Sequence, residues 1–197
     1  LTQNCPTTLV RRVLNNRETH DADLYKGSAD MGWTATTIPE EYGGLGMSHL
    51  ELVVIAEELG RACAPIPFSS TVYLASEAIM ALGTEAQKQA WLPKFADGSA
   101  IGCFALGEAG GAVTPDQLST TASGGVLNGT KVPVADGAIA DVAIVVCASD
   151  TGDGATLALV DLSQDAVVKD NVQMIDFSRG HAELTFNGAC AEILGEE

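Results

Sequence analysis

Through the first hundred residues, apolar positions recur at helical spacing. Residues 7–16 carry Leu9, Val10, Val13 and Leu14 on one stripe, and residues 21–31 are a second candidate helix. The stretch 38–46, Ile-Pro-Glu-Glu-Tyr-Gly-Gly-Leu-Gly, holds three glycines and a proline and predicts a structured loop. Its Tyr42-Gly43-Gly44 step reads as conformational, with glycines supplying positive φ. Ser48 followed by Glu51 is a capping box. The pattern predicts a helix over 49–61 with Leu50, Val53, Val54, Ile55 and Leu59 as its apolar face, ended by Pro65 and Pro67. A further helix fits 70–82, stopped by Gly83 at the C′ position. Thr84 and Gln87 form a second capping box and open a helix to about residue 91, which Pro93 breaks or kinks.

From Ile101 the period changes. Residues 101–106, 130–134, 142–148, 156–162, 167–168 and 182–186 read as short strands. Gly124-Gly125, Asn128-Gly129 and the loop 150–154 supply turn signals between them. The expected class is α+β: an all-helical part followed by a β-barrel or sandwich. The boundary near Asp97-Gly98 divides the chain into residues 1–98 and 99–197.

Composition narrows the function classes. Apolar residues make up 46% of the 197, enough for a real core, and only 18% are charged, which excludes disorder over the whole chain. Ten basic residues against 26 acidic ones give a net charge of −16. Phosphate-driven nucleic-acid binding and a basic membrane surface are excluded, and no apolar run approaches a bilayer span. Five cysteines without a C-x-x-C suggest neither a disulfide framework nor a zinc site, with Cys103 and Cys147 as small core residues; a reducing cytoplasm fits. No signal-peptide pattern is visible at Leu1, and the missing initiator Met leads us to expect a trimmed fragment.

Motif tests exclude more than they offer. Gly44-Leu-Gly46 lacks a preceding strand and the third glycine of a dinucleotide fingerprint. Residues 124–131 have P-loop spacing, but Thr130-Lys131 inverts the required order. His20, His49 and His181 lie far apart and read as structural or solvated, and Asp150 and Asp153 as a polar hairpin loop.

Word order along the chain is more informative. Trp33-Thr-Ala-Thr-Thr-Ile-Pro-Glu-Glu-Tyr-Gly-Gly-Leu-Gly46 and Ala56-Glu-Glu-Leu-Gly-Arg-Ala-Cys-Ala-Pro65 stand in sequence. They are followed by Gly83-Thr-Glu-Ala-Gln-Lys88, Trp91-Leu-Pro93, Asp97-Gly98, the strand from Ile101, Leu127-Asn-Gly-Thr-Lys131 and Ala140-Asp-Val142. Together they resemble the acyl-CoA dehydrogenases, over about residues 30–194. The resemblance implies an N-terminal helical domain and a middle β domain, with the family's C-terminal four-helix domain absent. It also implies α,β-dehydrogenation of an acyl-CoA, in which a base takes the α-proton and FAD takes the β-hydride. The family's base usually lies in the third domain, so no catalytic residue is nominated here. By the same resemblance the flavin edge would be held by main-chain groups of Phe104, Leu106, Gly107, Val134 and Ala135. Residues 70–82 would line part of the acyl pocket, although Val72, Leu74, Ile79 and Met80 are equally well explained as core.

The chain departs from the family at the same positions. Gly107 and Ala135 stand where a hydroxyl is expected, Pro133 where an aromatic is expected, and residues 110–115 replace a Gly-Ser-Asp. The run from Lys131 to Gly137 and the words Ala140-Asp141 and Asp176-Phe-Ser-Arg179 resemble subunits of heteromeric bacterial members, in which one subunit keeps a degenerate flavin site. Two readings follow: part of a flavin-dependent dehydrogenase, or a non-catalytic, flavin-poor partner subunit. Expected partners are an acyl-CoA substrate and either a second copy or a related subunit. An apolar face left bare by the missing domain would favour self-association.

Overall fold

The computed structural model describes residues 1–111, 114–149 and 154–195. Most of the loop expected at 150–154, and part of 110–115, lie outside the described residues. Five α-helices come first: α1 (Thr7–Asn16), α2 (Ala22–Asp30), α3 (His49–Ala62), α4 (Glu77–Leu82) and α5 (Glu85–Ala96). Eight strands follow: β1 (Gly102–Ala105), β2 (Thr121–Ser123), β3 (Val126–Ala135), β4 (Val142–Ala148), β5 (Ala155–Asp161), β6 (Val167–Val172), β7 (His181–Cys190) and β8 (Glu192–Ile193). Helix gives way to strand between Ala96 and Gly102.

Both capping boxes form. Ser48 and Glu51 exchange hydrogen bonds at the start of α3, as do Thr84 and Gln87 at the start of α5. Three expectations need correction. The helix expected over 70–82 begins as a π-helical segment, Ser69–Ser76, before tightening into α4. Its Ser70 and Thr71 side chains are tied to the sheet region: the Ser70 hydroxyl to Asp136, just past β3, and the Thr71 hydroxyl to Gly102 of β1. Gly83 is extended rather than left-handed. Pro93 does not end α5, which runs on to Ala96 because Leu92, Phe95 and Ala96 are buried beneath it. In the loop, Gly44 answers a lack of room: a Cβ there would lie 1.8 Å from the Ile38 carbonyl oxygen.

The apolar face expected for α3 is largely bare. Leu52 and Leu59 are buried, whereas Leu50, Val53 and Val54 are 72%, 58% and 60% exposed.

The strands form one sheet in the order β6-β7-β3-β2-β4-β5-β8, with β1 pairing in parallel to β4. Pairing is otherwise antiparallel, apart from a single parallel bridge between β2 and β4. The sheet curls around an apolar core drawn from β1, β2, β3, β4, β5 and β7. Its other face packs on the helices. On β4, Ala143, Val145 and Cys147 point into the sheet's own core, while Val142 and Ile144 join Ala75, Ile79, Leu92 and Phe95 of the helical part. Side chains alternate across a strand, so a strand buried on both sides reads as a continuous apolar run, as 142–148 does. Gly102 lies at the seam, where a Cβ would stand 2.5 Å from the Ala75 Cβ and 2.9 Å from the Phe95 Cζ.

Candidate functional site

Two segments that the sequence singled out come together beside the end of β1. The Val132 N–H donates to the Gly107 carbonyl at 2.9 Å, and a Cβ on Gly107 would lie 4.0 Å from the Pro133 ring. Gly107 is therefore in contact with β3 just where that strand's pairing with β7 shifts register, between Lys131 and Val134.

The individual residues play different parts. Phe104 lies within β1 opposite Ile144, and its ring packs on the helix-facing core. Leu106 is 42% exposed beside Gly107. Val134 is fully buried in the sheet core, and its carbonyl accepts the Gly137 N–H. Ala135 pairs with His181, and its carbonyl accepts the Ser70 hydroxyl at 3.5 Å. Val134 and Ala135 thus offer no side-chain donor, and their carbonyls already have partners.

What remains is main chain at 107 and 108. The Leu106 carbonyl accepts from the Lys131 ammonium at 3.1 Å, and the Gly107 carbonyl accepts from Val132. In a planar trans peptide the N–H lies on the edge opposite the C=O. The Gly107 N–H therefore points away from the Lys131 ammonium, and the Glu108 N–H away from the Val132 N–H. Among the described residues neither has a protein acceptor. Two adjacent main-chain donors suit the acceptor-bearing edge of a flat ring. The loop fits such a ring through main-chain donors alone, since no hydroxyl stands at 107 or 135 and Pro133 offers no aromatic surface.

A buried ion pair underlies the loop. Lys131 is completely buried on β3, and its ammonium donates to Glu108 Oε1 at 2.8 Å. The same oxygen accepts the Thr120 N–H, and Oε2 accepts the Ser119 N–H and hydroxyl. Burial alone would push the Glu108 carboxyl up, but the Lys131, Ser119 and Thr120 donors outweigh it and hold the group well below the usual carboxylate range. A carboxylate so saturated is a poor proton acceptor.

A second network ties the helical part to the sheet. Arg179 Nη2 donates to Asp136 Oδ2 and, at 2.6 Å, to the Ser70 hydroxyl, which itself donates to Asp136 at 2.6 Å. Asp136 holds a left-handed conformation, φ 58°, at the end of β3. Sequence reading missed both networks. For Lys131 there was no signal, because the strand was expected to start at Thr130 after a turn at Asn128-Gly129, whereas β3 runs through both residues. For Asp136 and Arg179 there was none, because they are 43 residues apart.

Other expectations fall as follows. Val72 and Ile79 are buried core, Leu74 is exposed, and Met80 is half-buried against the helix-facing core. A cavity of ≈ 330 Å³ near the same segment is lined by Leu59, Cys63, Phe68, Tyr73 and Arg179. Cys103 and Cys147 are buried, and all five cysteines are free. His49 sits exposed in the first turn of α3, 3.0 Å from Glu77. No cluster of metal-ligating side chains occurs among the described residues, and no helix there is long and apolar enough to cross a membrane.

Comparison with known proteins gives these features a family. Residues 6–99 match the model of the acyl-CoA dehydrogenase N-terminal domain. The chain is 36% identical over 133 residues to human mitochondrial short-chain specific acyl-CoA dehydrogenase, a match covering 64% of this chain and 32% of that protein. Its fold superposes on a variant of the Tcur3481–Tcur3483 steroid ACAD with a TM-score of 0.87 at 29% identity, covering 98% of this chain and 53% of that one. For butyryl-CoA dehydrogenase from Megasphaera elsdenii the TM-score is 0.86 at 25% identity, covering 100% and 55%. The chain thus spans about a third of the curated relative and about half of each solved chain. With its helical first part, its curled sheet and these matches, the chain has the fold of the N-terminal and middle parts of the acyl-CoA dehydrogenases, and its residues 6–99 match that family's N-terminal domain.

Proposed function

We propose that this chain forms the N-terminal and middle portion of a flavin-dependent acyl-CoA dehydrogenase, with residues 1–98 as the helical domain and 99–197 as the β domain. The observation that carries the reading is the pair of adjacent N–H groups at Gly107 and Glu108, beside β3, that have no acceptor among the described residues. They would hold the ring edge of FAD, with the Gly107 carbonyl kept back by Val132. When bound, FAD supplies a hydride acceptor for the β-carbon of the acyl thioester. The chain's own part is to orient that ring and to shield its edge from water with Leu106. Glu108, saturated by its donors, takes no part in proton removal. Five free cysteines suit a reducing cytoplasm.

A second reading has its own support. Gly107, Pro133 and Ala135 leave the site without side-chain hydroxyls or an aromatic wall, and the name of the steroid ACAD structure joins two proteins. On this reading the chain is the flavin-poor subunit of a heteromer. A visible absorbance spectrum of the purified protein, with and without added FAD, separates the two. A structured flavin band that survives desalting supports the first reading. A colourless protein that ignores FAD, alone and with a related subunit, supports the second.

A further inference from the structure

We infer that Lys131 is a positioning residue for the ring-edge loop: its buried ammonium, paired with Glu108, fixes the Leu106 carbonyl so that the adjacent Gly107 and Glu108 N–H groups are held rigidly. The inference rests on the flavin reading above and assigns it a support.

Lys131 has no exposure, and both of its polar contacts go to one short segment, the Leu106 carbonyl and the Glu108 carboxylate. Burying an ammonium is costly unless it is paired and bonded, and a lysine that only filled the sheet core would be better replaced by an apolar residue. Glu108 in turn reaches across to Ser119 and Thr120, just before β2. The segment 106–108 is thereby anchored at three points: Lys131, Val132 and the Ser119-Thr120 segment before β2. A donor pair held this way binds an acceptor edge without first losing loop entropy.

The test compares the wild type with a charge-neutral double variant, Lys131→Met with Glu108→Gln, which leaves no lone buried charge. The first readout is the ¹⁵N order parameter of the Gly107 and Glu108 amides without flavin. It is expected to fall from the rigid value near about 0.85 to below about 0.6, with β3 and β7 unchanged. The second is the FAD dissociation constant, expected to rise about tenfold to hundredfold. Amides that stay rigid in the variant, or a wild type that binds FAD and a variant that binds it equally well, would overturn the inference. A wild type with rigid amides and no FAD binding, beside a variant with mobile ones, would sink the flavin reading and leave the clamp standing. If the double variant does not fold, Ser119→Ala at the surface removes one donor from Glu108. It is expected to lower the same two order parameters, and unchanged values would refute the clamp.

Discussion

The seam between helices and sheet is closed at Gly102, and adding one methyl group there tests the packing directly. In Gly102→Ala the new Cβ would stand 2.5 Å from the Ala75 Cβ and 2.9 Å from the Phe95 Cζ. Carbon atoms prefer about 3.5–4.0 Å, so the π-helical segment must withdraw by about 1 Å or the strand must shift. Both neighbours are fully buried and neither has space to yield. Movement of the segment would also stretch the Thr71 hydroxyl's bonds to the Gly102 N–H and carbonyl, 3.2 and 3.3 Å. Overpacking of this kind costs about 1–3 kcal/mol. For a chain of this length each kcal/mol lowers the melting temperature by about 2–4 °C, so a drop of about 4–8 °C is expected for a mid-range cost. Thermal denaturation followed by circular dichroism reads it. Gly27→Ala is the control: it lies inside α2 with nothing within 4 Å of the new methyl. It should melt at or above the wild-type temperature. Phe95→Leu added to Gly102→Ala should recover part of the loss relative to the sum of the single changes. A Gly102→Ala protein that melts with the wild type would show that the seam is not packed as described.

Three further outcomes are expected. Gly107→Ser with Ala135→Thr returns a hydroxyl to each position and should tighten FAD binding by about tenfold per hydroxyl, read by titration of flavin absorbance; no gain would mean the ring edge does not lie there. The Glu108 carboxyl is held low in the folded state, so its stabilisation is complete above the ordinary carboxylate pKa of about 4.3 and is lost as pH falls through its lower folded value. Urea unfolding at neutral and acid pH should show the wild type losing more stability on acidification than Glu108→Gln; parallel losses would refute the linkage. The bare stripe of Leu50, Val53 and Val54 on α3 should drive self-association. Sedimentation velocity should show oligomers that weaken in a Val54→Asp variant, and a clean wild-type monomer at high concentration would count against it.

Local chemistry was the most readable part of the sequence. Each capping box is written within four residues, and both form where expected. The buried run at 142–148 was equally plain because both sides of β4 face protein. What failed depended on tertiary contacts. Leu50, Val53 and Val54 have the spacing of a core face, yet the buried side of α3 is set by Leu52 and Leu59. Pro93 lacks the N–H that a helix interior uses, and burial of Phe95 and Ala96 carries α5 past it. At the candidate site, the resemblance drew attention to 104–107 and 134–135. It did not show that Lys131, in a strand of ordinary appearance, would be enclosed with a carboxylate 23 residues away. Charge usually marks a surface position, and the turn expected at Asn128-Gly129 hid the course of β3 through those residues.

Because β4 serves two packed faces at once, its consecutive residues 142–145 leave almost no position free to vary. In a survey of all single substitutions, a half-exposed strand gives an alternating band of tolerant and intolerant sites. This strand should give an unbroken one, with polar residues rejected on consecutive positions. These four residues would then record, in mutational tolerance, a boundary that neither the helices nor the sheet could drift away from separately.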